Sequence, residues 1–340
     1  MYKKGHFWKN YSVEELDSLA ATIFNDYRSK GFPDYVLTEN EKFKEYEKLY
    51  SFCQRAELIS DGSVITQTMH GLALCWSYFP HWSEIKCGNM KTPKETFLND
   101  DLFKKVIAKR LKYGTYITDG GILKSLKTHS GTQSVSGFRP SAAYAVYNRY
   151  CKENSVVWDM SGGFGGRMLG ASVCSKVKKY IFTEPSTKTY KGLTGLSFDL
   201  RNLFKSELIV EGYCCGSEEF VPDEEIDLAF TSPPYFNTEL YSAEESQSCV
   251  KYPTKDLWLK NFLGSTINNV KKVLKKDGKM IINIKNVKNF SNLEESTVSI
   301  AENLGFSLEE NLSLSLSSMI GNKSKLGKFK YEPVFVFRKY

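Results

Sequence analysis

From about Val156 onward, short apolar runs alternate with amphipathic stretches, and this alternation restricts the fold more than any other feature. It is the pattern of a parallel sheet wrapped by helices. Strands are expected at residues 155–159, 179–183, 208–213, 226–231 and 279–285, and helices at 167–177, 187–203, 254–274 and about 293–304. Residues 275–278 read as a turn, and the apolar runs near 307–314 and 333–338 as a closing hairpin. The fold class implied is α/β, a doubly wound, Rossmann-like sheet with helices on both faces. The residues before Thr128 lack this rhythm and offer helical patterns at 13–28, 42–58 and 101–112. The expected organisation is a mainly helical N-terminal domain over 1–127 and an α/β domain over 128–340.

The first expected strand runs into a glycine-rich turn, Asp159-Met160-Ser161-Gly162-Gly163-Phe164-Gly165-Gly166-Arg167. Glycines there let the backbone approach a ligand at the carboxyl end of the strand, where a doubly wound sheet binds nucleotides. The second expected strand ends at Thr183-Glu184, and an acidic residue at that point accepts hydrogen bonds from both hydroxyls of a ribose. The glycines do not have dinucleotide spacing, and Asp159 would repel a pyrophosphate but pair with an ammonium group. The combination points to an adenosyl-amino acid and away from a nicotinamide dehydrogenase. For Asp159 the alternative is a carboxylate that caps its own turn.

A second motif follows the expected strand at 226–231: Thr231-Ser232-Pro233-Pro234-Tyr235. Two consecutive prolines fix the backbone and remove its donors, leaving carbonyls aimed outward beside the serine oxygen. Such a pocket accepts hydrogen bonds from an amino group. The amino nitrogen of cytosine or adenine is a poor nucleophile because its lone pair is delocalised into the ring. Acceptors that hold both amino hydrogens turn that lone pair towards an incoming group.

Asp159 to Gly166, Glu184 and Thr231 to Tyr235 together resemble the cofactor and catalytic motifs of the DNA amino-methyltransferases, over roughly Phe138 to the C-terminus. The resemblance implies the sheet of an S-adenosylmethionine-dependent methyltransferase, with S-adenosylmethionine as cofactor and DNA as partner. It also implies base flipping and a catalytic Ser232, Pro233, Pro234 and Tyr235. The Ser-Pro-Pro-Tyr form is associated mainly with N4-cytosine enzymes, so cytosine N4 is the expected target. Carried over by position, Asp159, Ser161, Gly163 and Gly165 lie along the methionine half and Glu184 holds the ribose. Gly216-Ser217-Glu218 meets the adenine, and Thr231 closes the cofactor side. Phe138-Arg139-Pro140-Ser141 matches the segment beside the amino-acid end, where Arg139 pairs with the carboxylate or simply starts a helix. Target recognition is expected before Thr128, and the loop 237–253 is expected to close over the flipped base.

The 340 residues are 41% hydrophobic and 14% aromatic, which argues against wholesale disorder, and the net charge of +7 suits a polyanionic partner. Basic residues cluster at Lys104, Lys105, Lys109, Arg110 and Lys112, at Lys271, Lys272, Lys275 and Lys276, and at Lys323, Lys325, Lys328 and Lys330. The last group, in a Gly/Ser/Asn-rich loop, is the expected phosphate contact. Eight cysteines without a Cys-x-x-Cys pair or a secretory leader imply a reducing, cytoplasmic setting. No apolar run approaches the ~20 residues of a membrane span. His70, Cys75, His81 and Cys87 match no familiar zinc spacing, so no metal is expected. Residues 76–82 read as a packed aromatic cluster in preference to a base-stacking surface. The remaining alternatives are adenine N6, an RNA base or a protein glutamine as methyl acceptor, and a nucleic-acid-binding scaffold without activity.

Overall fold

A computed structural model describes residues 11–113, 117–316 and 330–340. Lys323, Lys325 and Lys328 lie outside the described residues. The described residues form two compact units. The first comprises those up to Val36, Pro80–Ser136 and Glu239–Tyr241; the second comprises Leu37–Phe79, Gly137–Thr238 and those from Ser242 onward.

The first unit is built from helices Val13–Lys30, Pro93–Leu98, Asp100–Lys112 and Asp119–Lys127, with a two-stranded ladder pairing Lys86–Cys87 and Glu239–Leu240. Reciprocal capping boxes, Ser12 with Glu15 and Thr92 with Glu95, start the first two of these helices. Ile23, Tyr27, Phe97, Phe103, Ile107 and Ile122 form its core. The lysines of helix Asp100–Lys112 at 104, 105, 109 and 112 are exposed.

The second unit contains α1 (Glu39–Cys53), β1 (Ile59–Ser60), β2 (Val64–Ile65), α2 (Leu72–Trp76), α3 (Pro140–Tyr150), β3 (Ser155–Asp159), α4 (Gly166–Ser172), β4 (Val177–Thr183), α5 (Thr187–Asn202) and β5 (Ile209–Tyr213). It continues with β6 (Ile226–Thr231), α6 (Ser265–Val273), β7 (Leu274–Asn283), α7 (Leu293–Asn303), β8 (Phe306–Ser315) and β9 (Tyr331–Lys339). The strands form one sheet in the order β1-β2-β8-β9-β7-β6-β3-β4-β5. β7, β6, β3, β4 and β5 run parallel to one another, and β9 inserts antiparallel between β7 and β8. β3 and β6 are buried along nearly their whole length, as strands covered on both faces must be, and this explains their continuous apolar runs.

From β3 the chain steps outward through β4 to β5, then returns to lay β6 on the other side of β3 and β7 beyond it. Right-handed crossovers put the connecting helices of the two halves on opposite faces of the sheet. The reversal also opens a crevice at the carboxyl ends of β3 and β6. This agrees with the doubly wound α/β fold expected from the sequence.

The structure corrects several boundaries. Residues 37–79 do not join an N-terminal domain ending at 127. Tyr46 of α1 stacks on Phe204 at 4.4 Å, and β2 extends the large sheet by pairing Val64 with Ser313, so this segment belongs to the second unit. Residues 275–278 are not a free turn between helix and strand. They bulge within β7, where Leu274 pairs with Ile226 and Lys279 already with Leu228, and Lys275 binds Asp227 at 2.8 Å. The helix expected over 254–274 is interrupted by a π-helical turn at Trp258–Gly264. The helix expected over 167–177 stops at Ser172, because a tight turn from Cys174 leads directly into β4.

α3 and α4 cross at close quarters. A Cβ on Gly166 would lie 1.9 Å from the Phe138 carbonyl oxygen, and one on Gly170 2.6 Å from the Pro140 oxygen and 2.9 Å from the Tyr144 nitrogen. Backbone atoms cannot swing aside as a side-chain tip can. Gly170→Ala is therefore expected to cost about 1–3 kcal/mol, read from the urea midpoint at constant m-value; an unchanged midpoint would contradict this packing.

Candidate active site

The crevice is organised by Asp159, the last residue of β3, which is wholly buried. One carboxylate oxygen accepts from the Ser161 backbone N–H at 3.1 Å and from the Thr231 hydroxyl at 3.1 Å. The other accepts from Arg167 Nε at 2.8 Å and from the Tyr180 hydroxyl. Arg167 also donates to the Ser161 carbonyl and lies 5.6 Å from the Phe138 ring centre. Burial disfavours the Arg167 charge, but Asp159 and the Tyr180 oxygen more than offset this and hold the guanidinium above its ordinary pKa. With four donors, Asp159 has no acceptor site left for a ligand ammonium. These bonds give it a structural role that ties together β3, α4, β4 and β6. The Thr231 hydroxyl donates into the same network.

Glu184, just past β4, is different. Its oxygens accept one N–H each, from Gly163 and from Ser186, both at 3.0 Å. A carboxylate offers about four acceptor sites, so two remain for a ligand. Burial raises its pKa to about 7 against the pull of those two N–H groups. Gly163 supplies its N–H from a left-handed turn at φ 55°, and Gly165 starts α4 from φ 72°. Ser161 is half-buried at the same turn. Arg139 is the residue before α3, in the segment that packs directly on Gly166.

After β5, Ser217 does not face the crevice. Its hydroxyl pairs with Thr266 of α6 at 2.9 Å, and its carbonyl accepts from Asn269 at 3.2 Å. The neighbouring Glu218 is the more informative residue. One of its oxygens binds Lys251 at 3.1 Å, while the other is buried with no partner among the described residues. Buried polar atoms without partners are rare, and one at the carboxyl edge of a doubly wound sheet marks a place for a ligand donor.

The Ser-Pro-Pro-Tyr turn leaves β6 beside the glycine turn of β3. Among the described residues none hydrogen-bonds the Ser232 side chain. Pro233 is buried, Pro234 and Tyr235 are half-buried, and Tyr235 packs against the core cluster around β7. Phe236 then takes φ 57°, unusual for a bulky residue, with its ring buried against Trp258 and Phe290 at 6.1 Å each. Asn289 secures the turn, donating to the Asn237 side chain and accepting from Thr238 at 3.3 Å.

The loop expected to cover a flipped base is placed differently. Glu239–Leu240 are strand residues of the first unit. Within the second unit, Glu244 accepts from the Thr187 N–H at 3.0 Å and from its hydroxyl, at the start of α5. Ser246 donates to the Pro185 carbonyl at 3.0 Å, and Lys251 pairs with Glu218 and Glu219. Residues 242–251 are therefore strapped across the ends of β4 and β5, on the side of Glu184 and Glu218.

The family model described as DNA methylase matches residues 226–340. No curated protein matches the chain. Among solved structures it is similar to a putative methyltransferase from Thermoplasma acidophilum, with 11% identity, 62% of this chain and 79% of that one covered, and a TM-score of 0.39. A methyltransferase from Pyrococcus furiosus gives 14% identity, 59% and 83% coverage and a TM-score of 0.40. The magnesium protoporphyrin IX methyltransferase from Synechocystis gives 12%, 58% and 76%, and 0.37.

The methylase segment contributes β6, the Ser-Pro-Pro-Tyr turn and the strap; the glycine turn and Glu184 precede it. Sequence reading missed Arg167, Tyr180 and Glu244. Arg167 had a signal, since an acidic residue ending a fully apolar strand requires a buried cation, and Arg167 opens the next helix. His70, once weighed as a metal ligand, stacks on Phe52 at 4.4 Å and bonds Thr68. Among the described residues no group of three or more His, Cys, Asp or Glu is arranged to hold a metal. Trp76 and Phe79 are buried against Phe164 in the second unit and Trp82 against Phe32 and Tyr35 in the first, so residues 76–82 do not form the single packed cluster expected from the sequence. Among the described residues no helix is long and apolar enough to cross a membrane.

Removing Arg167 would leave a buried carboxylate without its cation. Arg167→Met is expected to destabilise the protein by about 3–5 kcal/mol, measured by urea unfolding. A loss below 1 kcal/mol would mean that Asp159 is not held as described.

Proposed function

We propose that this chain transfers a methyl group from S-adenosylmethionine to an exocyclic amino nitrogen of a DNA base, with cytosine N4 as the target. The observation that carries the reading is the Ser232 hydroxyl, unpartnered among the described residues, on a rigid Pro-Pro turn at the switch point of the sheet. The methylase match over residues 226–340 and the Ser-Pro-Pro-Tyr form support it. The unpartnered Glu218 oxygen and the remaining acceptor sites of Glu184 suit the adenine amino group and the ribose hydroxyls of the cofactor.

When bound, S-adenosylmethionine supplies an electrophilic methyl group on its sulfonium. Glu184 holds the ribose, Ser161 and Gly163 line the methionine half, and Arg139 pairs with the carboxylate. Ser232 and the Pro233 carbonyl accept the two amino hydrogens of the base, localising the nitrogen lone pair along the line of transfer. Tyr235 stacks on the base, which must leave the duplex to reach this depth. No enzyme nucleophile is involved, because the amino nitrogen attacks directly.

The Glu184 pKa sets a pH dependence. Ribose hydroxyls donate to the carboxylate and favour its charged form, so cofactor affinity rises with pH up to about 7 and is flat above it. Glu184→Gln should bind more weakly and lose this slope; calorimetric titration from pH 5.5 to 8.5 tests both.

Transfer of labelled methyl to unmethylated duplex DNA, followed by nucleoside analysis, tests the function. N4-methylcytosine is the expected product; N6-methyladenine would move the target base, and cofactor binding without label in DNA would move it to RNA or protein. Ser232→Ala and Tyr235→Ala should each lower turnover by roughly 10²–10³-fold with cofactor affinity unchanged. Full activity in both would place the chemistry elsewhere.

A further inference from the structure

Gln247 lies in the middle of the strap, and its side-chain amide nitrogen is buried with no hydrogen-bond partner among the described residues. It caps the short helix Ser248–Lys251, and its carbonyl accepts from the Lys251 N–H at 2.9 Å, so Gln247 and Lys251 stand one helical turn apart on one face. Lys251 reaches Glu218 from that face at 3.1 Å. On the preceding side, Ser246 binds Pro185, next to Glu184. The strap thus runs from the carboxylate assigned to the ribose to the one assigned to the base, with Gln247 between them.

Two buried groups therefore lack partners beside one segment: an acceptor, Glu218 Oε2, and a donor, Gln247 Nε2. An isolated orphan of either kind is a cost of roughly 1–3 kcal/mol to the empty protein. An aminopurine satisfies both, since its amino group donates and the adjacent ring nitrogen accepts. We infer that Gln247 is a specificity-determining residue of the cofactor site, donating to a ring nitrogen of the adenine while Glu218 accepts its amino group. The strap is then part of the cofactor site, held shut by Glu244 and Lys251. This rests on the reading of the crevice as an S-adenosylmethionine site.

The test compares wild type and Gln247→Leu in calorimetric binding of S-adenosylhomocysteine and of its inosyl counterpart, whose ring offers an oxo acceptor and an N–H donor at the same edge. The wild type should prefer the adenosyl form. Gln247→Leu should lose roughly tenfold in affinity for it and narrow the preference. It should also raise the melting temperature of the unliganded protein, because an unsatisfied buried amide has been replaced by an apolar group of similar size. A purely structural glutamine would do the opposite, lowering the melting temperature and leaving the preference untouched, and that result overturns the assignment. Should the leucine variant fail to fold, Gln247→Met, unbranched and of similar length, is held to the same readouts. Unaltered affinity and preference in a folded variant defeats the role of Gln247 alone, whereas a wild type that binds neither compound defeats the cofactor reading itself.

Discussion

The buried pair of Asp159 and Arg167 is the interaction on which the crevice depends. Asp159 ends the central strand of the parallel block, and its four donors come from the glycine turn, α4, β4 and β6. A carboxylate this deep is tolerated only when a cation and enough hydrogen bonds replace its water. That requirement fixes where α4 begins, because Arg167 sits in its first turn. It also fixes the spacing of β3 from β6, because Thr231 must reach across. The two loops that flank the switch point are thereby held in one frame by a single side chain. Tyr147, with its hydroxyl buried near the pair and its ring 5.6 Å from Phe230, extends the frame to α3.

Around that frame, polar groups divide into those the protein satisfies itself and those it leaves available. Asp159 accepts four hydrogen bonds, and the Thr231 and Ser217 hydroxyls are each engaged by a neighbouring side chain, so these groups contribute rigidity. Glu184 and Glu218 are only partly satisfied, and Ser232 is bonded by no described residue. These three follow the carboxyl ends of β4, β5 and β6, on either side of β3. Glu218 shares its lack of a partner with other buried groups, including the Tyr147 and Tyr150 hydroxyls and the Trp158 indole N–H, but it is the carboxylate among them, and a ligand donor at the carboxyl edge of the sheet would satisfy it.

Much of this edge was legible in the sequence, because strands buried on both faces produce apolar runs and because proline pairs and glycine clusters punctuate them. β3 and β6 appear where their runs predict, and Glu184 and Ser232 stand at strand ends as expected. What escaped has identifiable physical causes. β1 and β2 are two residues each, too short for any period to register, yet they carry residues 37–79 into the second unit. The bulge at 275–278 looks like a turn because it is polar and contains a glycine; only pairing with β6 shows that the strand continues on both sides. The protein partners of Asp159 and Ser217 escape because sequence reveals a residue's position along the edge but not which way its side chain turns. The seating of the strap is not legible because its attachments to Thr187 and Glu218 are long-range and polar, with no local signature.

The turn after β6 shows how the fold keeps its least comfortable segment in place. Pro233 and Pro234 cannot be relaxed by rotation about φ, and Phe236 adopts a left-handed conformation that costs a residue of its size of the order of 1–3 kcal/mol. Burial of the Phe236 ring against Trp258 and Phe290 offsets that cost, and Trp258 is itself fixed by a hydrogen bond from its indole N–H to Ser248 at 3.1 Å. Ser248 belongs to the strap, and Trp258 opens the π-helical turn that breaks the regular helix leading to α6. The irregular helix therefore has a mechanical reason: a wider turn places Trp258 where it can brace the Phe236 backbone and touch the strap at once. A change in the seating of the strap would reach the Ser-Pro-Pro-Tyr turn through one indole ring, which couples the Glu184 and Glu218 side of the crevice to the Ser232 side without any motion of the sheet.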